Sequence, residues 1–382
     1  MRIVHVCLRY PPATGGVETY VKELVDRTRR IEENQDVRVL TSKLRTHHPL
    51  SLLNPDLLLD DPMYVQRLHH LPAPFFAYPR LQALSYYLGH HEPDVIHGHS
   101  FWYQPADVAS RYARKRHIPF IFHPYYYQHG VRQKASWQLY KHTIGKKTFA
   151  AADVVVVISP HEQSLIEQAY LPVRRFELIP PGIDMKPYTL MHANPFAPRN
   201  ISGRILLSVG RVADDKGFHD VISVLPPVIK QVSNLNYVIV GEDFGAKDKL
   251  ELQTKRLGLQ NHVHFLGKLT AAELIGAYQH ADLFVHPSYY EAFGLVIAES
   301  LAAGTPVVAR NIAAIPFVAP HQKTGLLFNN QPELYQSLKE VLTNRPLREK
   351  FSQQGRRHVQ QNFTWEKSIK KLINLYQELK RQ

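Results

Sequence analysis

The chain is 382 residues long, 44 % hydrophobic and 21 % charged, a globular composition that excludes a disordered or fibrous polymer and suits two ordinary domains. Its one cysteine, Cys7, excludes a disulfide scaffold and a cysteine-rich zinc or iron–sulfur centre. The net charge of +13 points to an anionic partner, yet it is spread over both halves without a basic tail or zinc finger, so nucleic acid is not expected.

A strand is expected to open at residue 2, which leaves no secretory leader, and no apolar run reaches 18 residues, so a cytoplasmic protein is expected. In the first half, strands at 2–7, 36–41, 64–68, 94–97, 119–122 and 154–158 alternate with helical patterns near 16–30, 79–90, 104–116, 134–151 and 161–169. The first helix puts Val17, Tyr20, Val21, Leu24 and Val25 on one stripe. The proline-containing stretch 186–203 reads as a linker. Strands at 204–209, 236–240, 262–266, 282–286 and 306–309 then alternate with helices near 218–232, 246–257, 271–280, 293–303 and 331–343. A terminal helix over 365–379 carries the stripe Ile369, Leu372, Ile373 and Tyr376. Strand–helix alternation implies parallel sheets covered on both faces, and its restart implies two such domains. Sheets of this kind bind ligands at the carboxyl ends of their strands.

Four segments at strand ends carry chemistry. In Tyr10-Pro-Pro-Ala-Thr-Gly15-Gly16-Val-Glu18, paired glycines opening a helix let backbone amides approach a phosphate. The G-x-G-x-x-G dinucleotide fingerprint follows none of the strands. His97 and His99 in Asp94-Val-Ile-His-Gly-His-Ser100, and His123 in Pro119-Phe-Ile-Phe-His-Pro-Tyr-Tyr-Tyr127, are either donors to a ligand hydroxyl or hydrogen-bonded structural residues. His97-Gly-His99 has no cysteine or matching carboxylate set beside it, and no Asp-x-Asp pair occurs in the chain, so no metal is expected. In Ser208-Val-Gly210-Arg211-Val-Ala-Asp-Asp-Lys216-Gly217, an arginine and a lysine on one turn either clamp a diphosphate or are two solvated cations. Finally, Glu291-Ala-Phe-Gly-Leu-Val-Ile-Ala-Glu299 spaces two glutamates to grip separate parts of one extended ligand, and the helix start beside them favours an anion. The plainer alternative makes Glu291 a helix-dipole partner and Glu299 a solvated residue.

In this order and spacing, with Gly304-Thr-Pro306, Ile179-Pro-Pro-Gly-Ile-Asp184 and Phe363-Thr-Trp365, the chain resembles the retaining glycosyltransferases of family 4 over essentially its whole length. Ala292 stands where that family usually has glycine and Pro181 where asparagine is common, and neither change removes a functional side chain. The resemblance implies an α/β protein of GT-B fold, two facing Rossmann-like domains with a C-terminal helix crossing back to the first. The expected divisions are an acceptor-side domain over 1–185, a linker over 186–203, a nucleotide-sugar-binding domain over 204–360 and the crossing helix over 361–382.

The resemblance further implies a nucleoside-diphosphate sugar as donor and no divalent metal or other cofactor. Arg211 and Lys216 would hold the diphosphate, with Gly210 beside them and Gly15 and Gly16 meeting it from the first domain. Glu291 and the amides of Phe293, Gly294 and Leu295 would bind the transferred sugar, Glu299 the ribose hydroxyls, and His123 would lie beside the sugar. Charge building on the leaving diphosphate makes preorganised cations there the largest contribution to rate. His97, His99, Trp102 and Tyr125 are the acceptor-side candidates. The mixed basic and aromatic helix with Lys134, Trp137, Tyr140, Lys141, Lys146 and Lys147, and the leucine-rich segment 50–59, fit a glycan or lipid-linked glycan acceptor with peripheral attachment to an anionic inner membrane face. Two other readings share the fold: a catalytically silent nucleotide-sugar-binding protein, opposed by intact Arg211, Lys216 and Glu291, and a Rossmann-type oxidoreductase, opposed by the missing fingerprint.

Overall fold

Runs rich in β-branched residues, such as Val154–Val157 and Val307–Arg310, become strands buried on both faces, as parallel sheets require. The structure is a computed structural model that describes residues 1–31, 35–46, 51–58, 60–71, 78–128 and 134–381. It divides into unit 1, Met1–Pro180 with Ser368–Gln382, and unit 2, Pro181–Lys367.

Unit 1 holds a seven-stranded parallel sheet of β1 (Arg2–Val6), β2 (Asp36–Ser42), β3 (Val65–Leu68), β4 (Val95–His99), β5 (Phe120–His123), β6 (Val154–Val157) and β7 (Phe176–Leu178), in the order β3-β2-β1-β4-β5-β6-β7. Its core joins Val4, Val6, Ile96, Phe120, Phe122 and Phe149. Helix Gly16–Ile31 buries Tyr20, Val21, Leu24 and Val25, the stripe read from its periodicity. The terminal helix Trp365–Lys380 enters unit 1 at Ser368, whose hydroxyl donates to Pro180 O at 2.7 Å, and buries Ile369, Leu372, Ile373 and Tyr376.

Unit 2 holds a six-stranded parallel sheet of β8 (Arg204–Val209), β9 (Leu235–Val240), β10 (Val263–Gly267), β11 (Leu283–His286), β12 (Val307–Arg310) and β13 (Gly325–Phe328), in the order β10-β9-β8-β11-β12-β13. Tyr237, Ile239, Leu283, Val285, Phe328 and Phe351 lie in its core. In each sheet the strand order reverses beside the first strand, between β1 and β4 and between β8 and β11, and this is where such sheets open a crevice at their carboxyl ends.

Several elements differ from expectation. The stretch 186–203 is no free linker. It belongs to unit 2, contains the short helix Lys186–Thr189, and is tied to helix Ala271–His280 by the Gln279 amide, which donates to Leu190 O at 2.7 Å and accepts from the His192 amide at 2.9 Å. The pattern at 79–90 becomes a helix only over Leu84–His91, because Arg80–Leu81 pairs with His70–Leu71 as a short hairpin. The helix expected over 134–151 is present over residues 135–151, with its middle turn Lys141–Gly145 widened to π-helical geometry. No helix among the described residues is long and apolar enough to cross a membrane.

Candidate functional site

The reversal in unit 2 brings the turn after β8 and the turn after β11 together. Tyr289 N donates to Asp215 O at 2.9 Å, and Gly217 passes so close that an added Cβ would lie 2.3 Å from Pro287 O. Gly217 also has φ +69°, a left-handed conformation that glycine adopts without penalty. Lys216 therefore reaches Glu291, Nζ to Oε2 at 3.3 Å, with both side chains largely buried. His286, at the end of β11, lies 3.2 Å from the same oxygen. Burial alone would raise the Glu291 pKa, but the hydrogen bond and charge of His286 together with the Lys216 ammonium hold it down to about 2. An ionised carboxylate only accepts, so Nε2 of His286 carries the proton in this bond.

Helix Leu295–Ala303 starts directly after this turn. Its N-cap is Gly294 at φ +96°, which offers no side-chain cap. Among the described residues no acceptor takes the amides of Phe293, Gly294 or Leu295. Phe293 itself is buried, packing its ring on Phe363 and Phe317, so only its backbone is available to a ligand. Free amides at a helix N-terminus beside a lysine favour bound anionic or hydroxylated groups.

Glu299, one helical turn on, is not a solvated residue. It accepts from Tyr278 OH at 2.9 Å, and burial pushes its pKa up to about 7 despite that bond. The helix begins at Leu295, so Glu291 lies in the turn before it and Glu299 within it. Arg211, after Gly210, lies exposed with its guanidinium 5.2 Å from the centre of the Phe244 ring.

In unit 1 Gly15 and Gly16 are exposed at the start of their helix. A Cβ at Gly16 would meet nothing, whereas one at Gly15 would strike Glu18, whose carboxylate pairs with Arg9 at 2.5 Å. The histidines form one cluster. His5 pairs with His97 across β1 and β4, and His99 with His123 across β4 and β5, so the parallel register and two-residue period stack them side by side. A hydrogen-bonded chain runs from Tyr125 OH to His99 Nδ1 at 3.2 Å, from His99 Nε2 to His5 Nδ1 at 2.9 Å, from His5 Nε2 to Tyr376 OH at 3.3 Å, and on to His97 Nδ1 at 2.8 Å. Burial lowers the pKa of His5 and His123 to about 3 and those of His97 and His99 well below the usual range, so all four are neutral imidazoles. Both ring nitrogens of His123 lack a hydrogen-bond partner among the described residues. Three of the four, His5, His97 and His99, have ring nitrogens within 4.8 Å of one another. His97 stacks on His99 at 4.3 Å.

His97 and His99 are fully buried, His97 bonded to Tyr376 and His99 to His5 and Tyr125. Trp102 is half-buried and packs on Tyr140, and Tyr125 stacks on His123 at 4.3 Å. Trp137 and Tyr140 are also core residues around Phe101, so the expected interfacial aromatics of that helix are not surface groups. Lys134, Lys146 and Lys147 stay exposed with Leu139 and Ile144. Leu50 and Leu59 lie outside the described residues, as does the side chain of Leu57; Pro55–Leu58 forms a single helical turn. Sequence reasoning missed His286 and Tyr278. His286 had a signal, a histidine ending a strand five residues before Glu291, of the kind noted for His99 and His123.

Two family profiles match the chain: the one described as "Glycosyl transferase 4-like domain" over residues 15–182 and the one described as "Glycosyl transferases group 1" over 196–358. The D-inositol 3-phosphate glycosyltransferase of Corynebacterium urealyticum is 30 % identical over 243 residues, 60 % of this chain and 57 % of that one. An uncharacterized glycosyltransferase of Methanocaldococcus jannaschii is 30 % identical over 175 residues, 45 % of this chain and 44 % of that protein. The chain therefore matches about half the length of these curated relatives. Among solved structures, Anabaena HepE in complex with UDP superposes with a TM-score of 0.80 at 19 % identity over 99 % of this chain and all of that one. Sucrose-phosphate synthase from Thermosynechococcus elongatus gives 0.75 at 23 % identity, covering 99 % and 98 %. Similarity at that level of identity concerns the fold, two Rossmann-like α/β units.

Proposed function

The chain belongs to the group 1 glycosyltransferases, and from that premise we propose that it is a retaining, metal-independent enzyme moving a hexose from a nucleoside-diphosphate sugar to a glycan or lipid-linked acceptor. The observation that carries the reading is the pairing of Lys216 with an ionised Glu291 beside the uncapped amides of Phe293, Gly294 and Leu295. Lys216 and Arg211 would face the diphosphate and offset the charge that develops on it as the sugar C1–O bond breaks. Glu291 and the amides would hold the sugar hydroxyls, and Glu299 the ribose. Retention rests on the family resemblance: the acceptor oxygen bonds to C1 on the face the phosphate leaves, and its proton passes to the departing phosphate oxygen. Neutral His123, with both nitrogens unpartnered among the described residues, would bond a hydroxyl of the transferred sugar or the acceptor.

The exposed lysines around Leu139 and Ile144 support peripheral attachment to an anionic membrane surface, on the cytoplasmic side. Thermal stability measured against UDP, GDP, ADP and their sugar conjugates, without added metal, tests the donor. A ligand at 100 times its dissociation constant adds about 2.7 kcal/mol to stability. With the donor identified, Lys216→Ala and Glu291→Ala are each expected to lower turnover at least about tenfold in folded protein. A shift with none of these ligands, or near-wild-type turnover in both variants, would overturn the reading.

A further inference from the structure

Beside the donor-site residues, unit 2 contains a buried ion pair that the reading above does not use. Arg310, at the end of β12, donates from Nη2 to Asp220 Oδ2 at 2.5 Å, and both side chains are nearly enclosed. Its Nε donates to Pro287 O at 3.0 Å, and its guanidinium carbon lies over the Tyr289 ring, 4.4 Å from the centre, and 5.1 Å from the centre of the Phe328 ring. Asp220 also takes the Tyr289 hydroxyl at 2.6 Å and the Gln331 amide at 2.9 Å.

These contacts join the two turns that carry the donor-site residues. Asp220 stands four residues after Lys216, and its amide donates to Gly217 O at 3.0 Å, so its carboxylate is fixed relative to the Lys216 turn. Pro287 and Tyr289 stand between His286 and Glu291. The guanidinium bonds both turns at once from two different nitrogens. A lysine ammonium, as a single point charge, could not do this in the same plane while stacking on Tyr289.

We propose that Arg310, Asp220 and Tyr289 are positioning residues that fix the Lys216 turn against the Glu291 turn, and so set the separation at which the two side chains grip a nucleoside diphosphate and its sugar. The inference rests on the donor-site reading above. Lys216 has a flexible four-carbon stem, and its 3.3 Å approach to Glu291 depends on where the two backbones are held. Displacements of about 1 Å at such a site are costly to binding and rate.

The test is a double-mutant cycle read by calorimetric binding of UDP, GDP and ADP, each without metal. Tyr289→Phe removes one hydroxyl from a side chain that is 44 % exposed and is expected to fold; Arg310→Lys keeps the charge but loses the two-point geometry. For whichever diphosphate wild type binds, each variant is expected to weaken binding by about three- to tenfold, yet by less than about twofold in a Lys216→Ala background. Equal losses in both backgrounds, or no loss in Tyr289→Phe, would overturn the clamp. Should Arg310→Lys not fold, the Tyr289→Phe cycle alone decides. Failure of wild type to bind any of the three would overturn the donor-site reading itself, which is a different result from binding with additive losses.

Discussion

Glu291 and Glu299 are one residue type set to opposite behaviour by their partners. Both are largely withdrawn from water, which favours the neutral acid, but Glu291 has His286 and Lys216 to keep it ionised, whereas Glu299 has a tyrosine hydroxyl beside it and stays near 7. If Glu299 holds the ribose through ionised oxygens, binding must draw its pKa down and release a proton. Affinity for the nucleoside diphosphate should then weaken as pH falls below about 7, and Glu299→Gln should remove that part of the profile. Comparison of the two proteins separates the carboxyl from titration of the ligand's terminal phosphate, and superimposable profiles would reject the assignment. In the free protein the sign is opposite. A raised carboxyl pKa contributes stability below the ordinary 4.5 that is lost as pH rises through about 7. At this scale the sequence showed Lys216, Glu291 and Glu299 through local spacing. It did not show His286, Tyr278 or Arg310, because their proximity is set by strand order in the sheet.

Elements were legible where their periodicity was long. The helices Gln104–Arg116, Ala271–His280 and Gln331–Thr343 fall where the pattern put them. The strands Phe176–Leu178 and Gly325–Phe328 were not expected, since three or four residues at a sheet edge carry too little alternation. Helix Arg345–Asn362 was also missed; of its 18 residues only Arg348, Phe351, Gly355 and Val359 are buried, too sparse a stripe to stand out. Residues 181–184 and 363–365, far apart in sequence, meet in unit 2: Ile183 N donates to Phe363 O at 2.7 Å, and Ile183 bridges Thr364. Gly182 is what permits that approach. A Cβ there would lie 2.4 Å from Trp365 N and 2.5 Å from its Cα, and backbone cannot swing aside as a side-chain tip can. Gly182→Ala is therefore expected to destabilise unit 2 by about 1–3 kcal/mol, as overpacking does. Calorimetry would read this as a lowered Tm, and an unchanged Tm would mean that the terminal strand of contacts yields without cost.

Over the molecule as a whole, buried titratable groups are divided unequally between the units, and this makes their responses to acid different. Unit 1 contains His5, His97, His99 and His123, all depressed by burial well below the ordinary 6.5, so their stability contribution is full above that pH and is lost progressively as pH falls below it. It also contains buried carboxyls shifted the other way: Asp107 at about 6, Glu162 at about 7 and Glu18, raised by burial beside Arg9. These favour the folded state more as pH falls to about 4.5, where their unfolded counterparts also take up protons. Between pH 6.5 and 4.5 these carboxyls offset part of the histidine loss, so the stability of unit 1 should fall only gradually. Below about 4.5 the carboxyls no longer compensate, and each histidine proton taken up on unfolding costs about 1.4 kcal/mol per pH unit, so the loss of stability steepens. Unit 2 contains no comparable group of strongly depressed histidines among its described residues; its main acid-sensitive site group is Glu291, at about 2. The calorimetric trace should accordingly separate on acidification, with one transition falling steeply below pH 4.5. That transition should coincide with a change in tryptophan emission, since Trp102 and Trp137, two of the three tryptophans, lie in unit 1. His123→Gln cannot take up a proton in this range and should flatten the steep limb by about one proton. A limb of unchanged slope, or two transitions that move together, would place the proton uptake outside the histidine cluster.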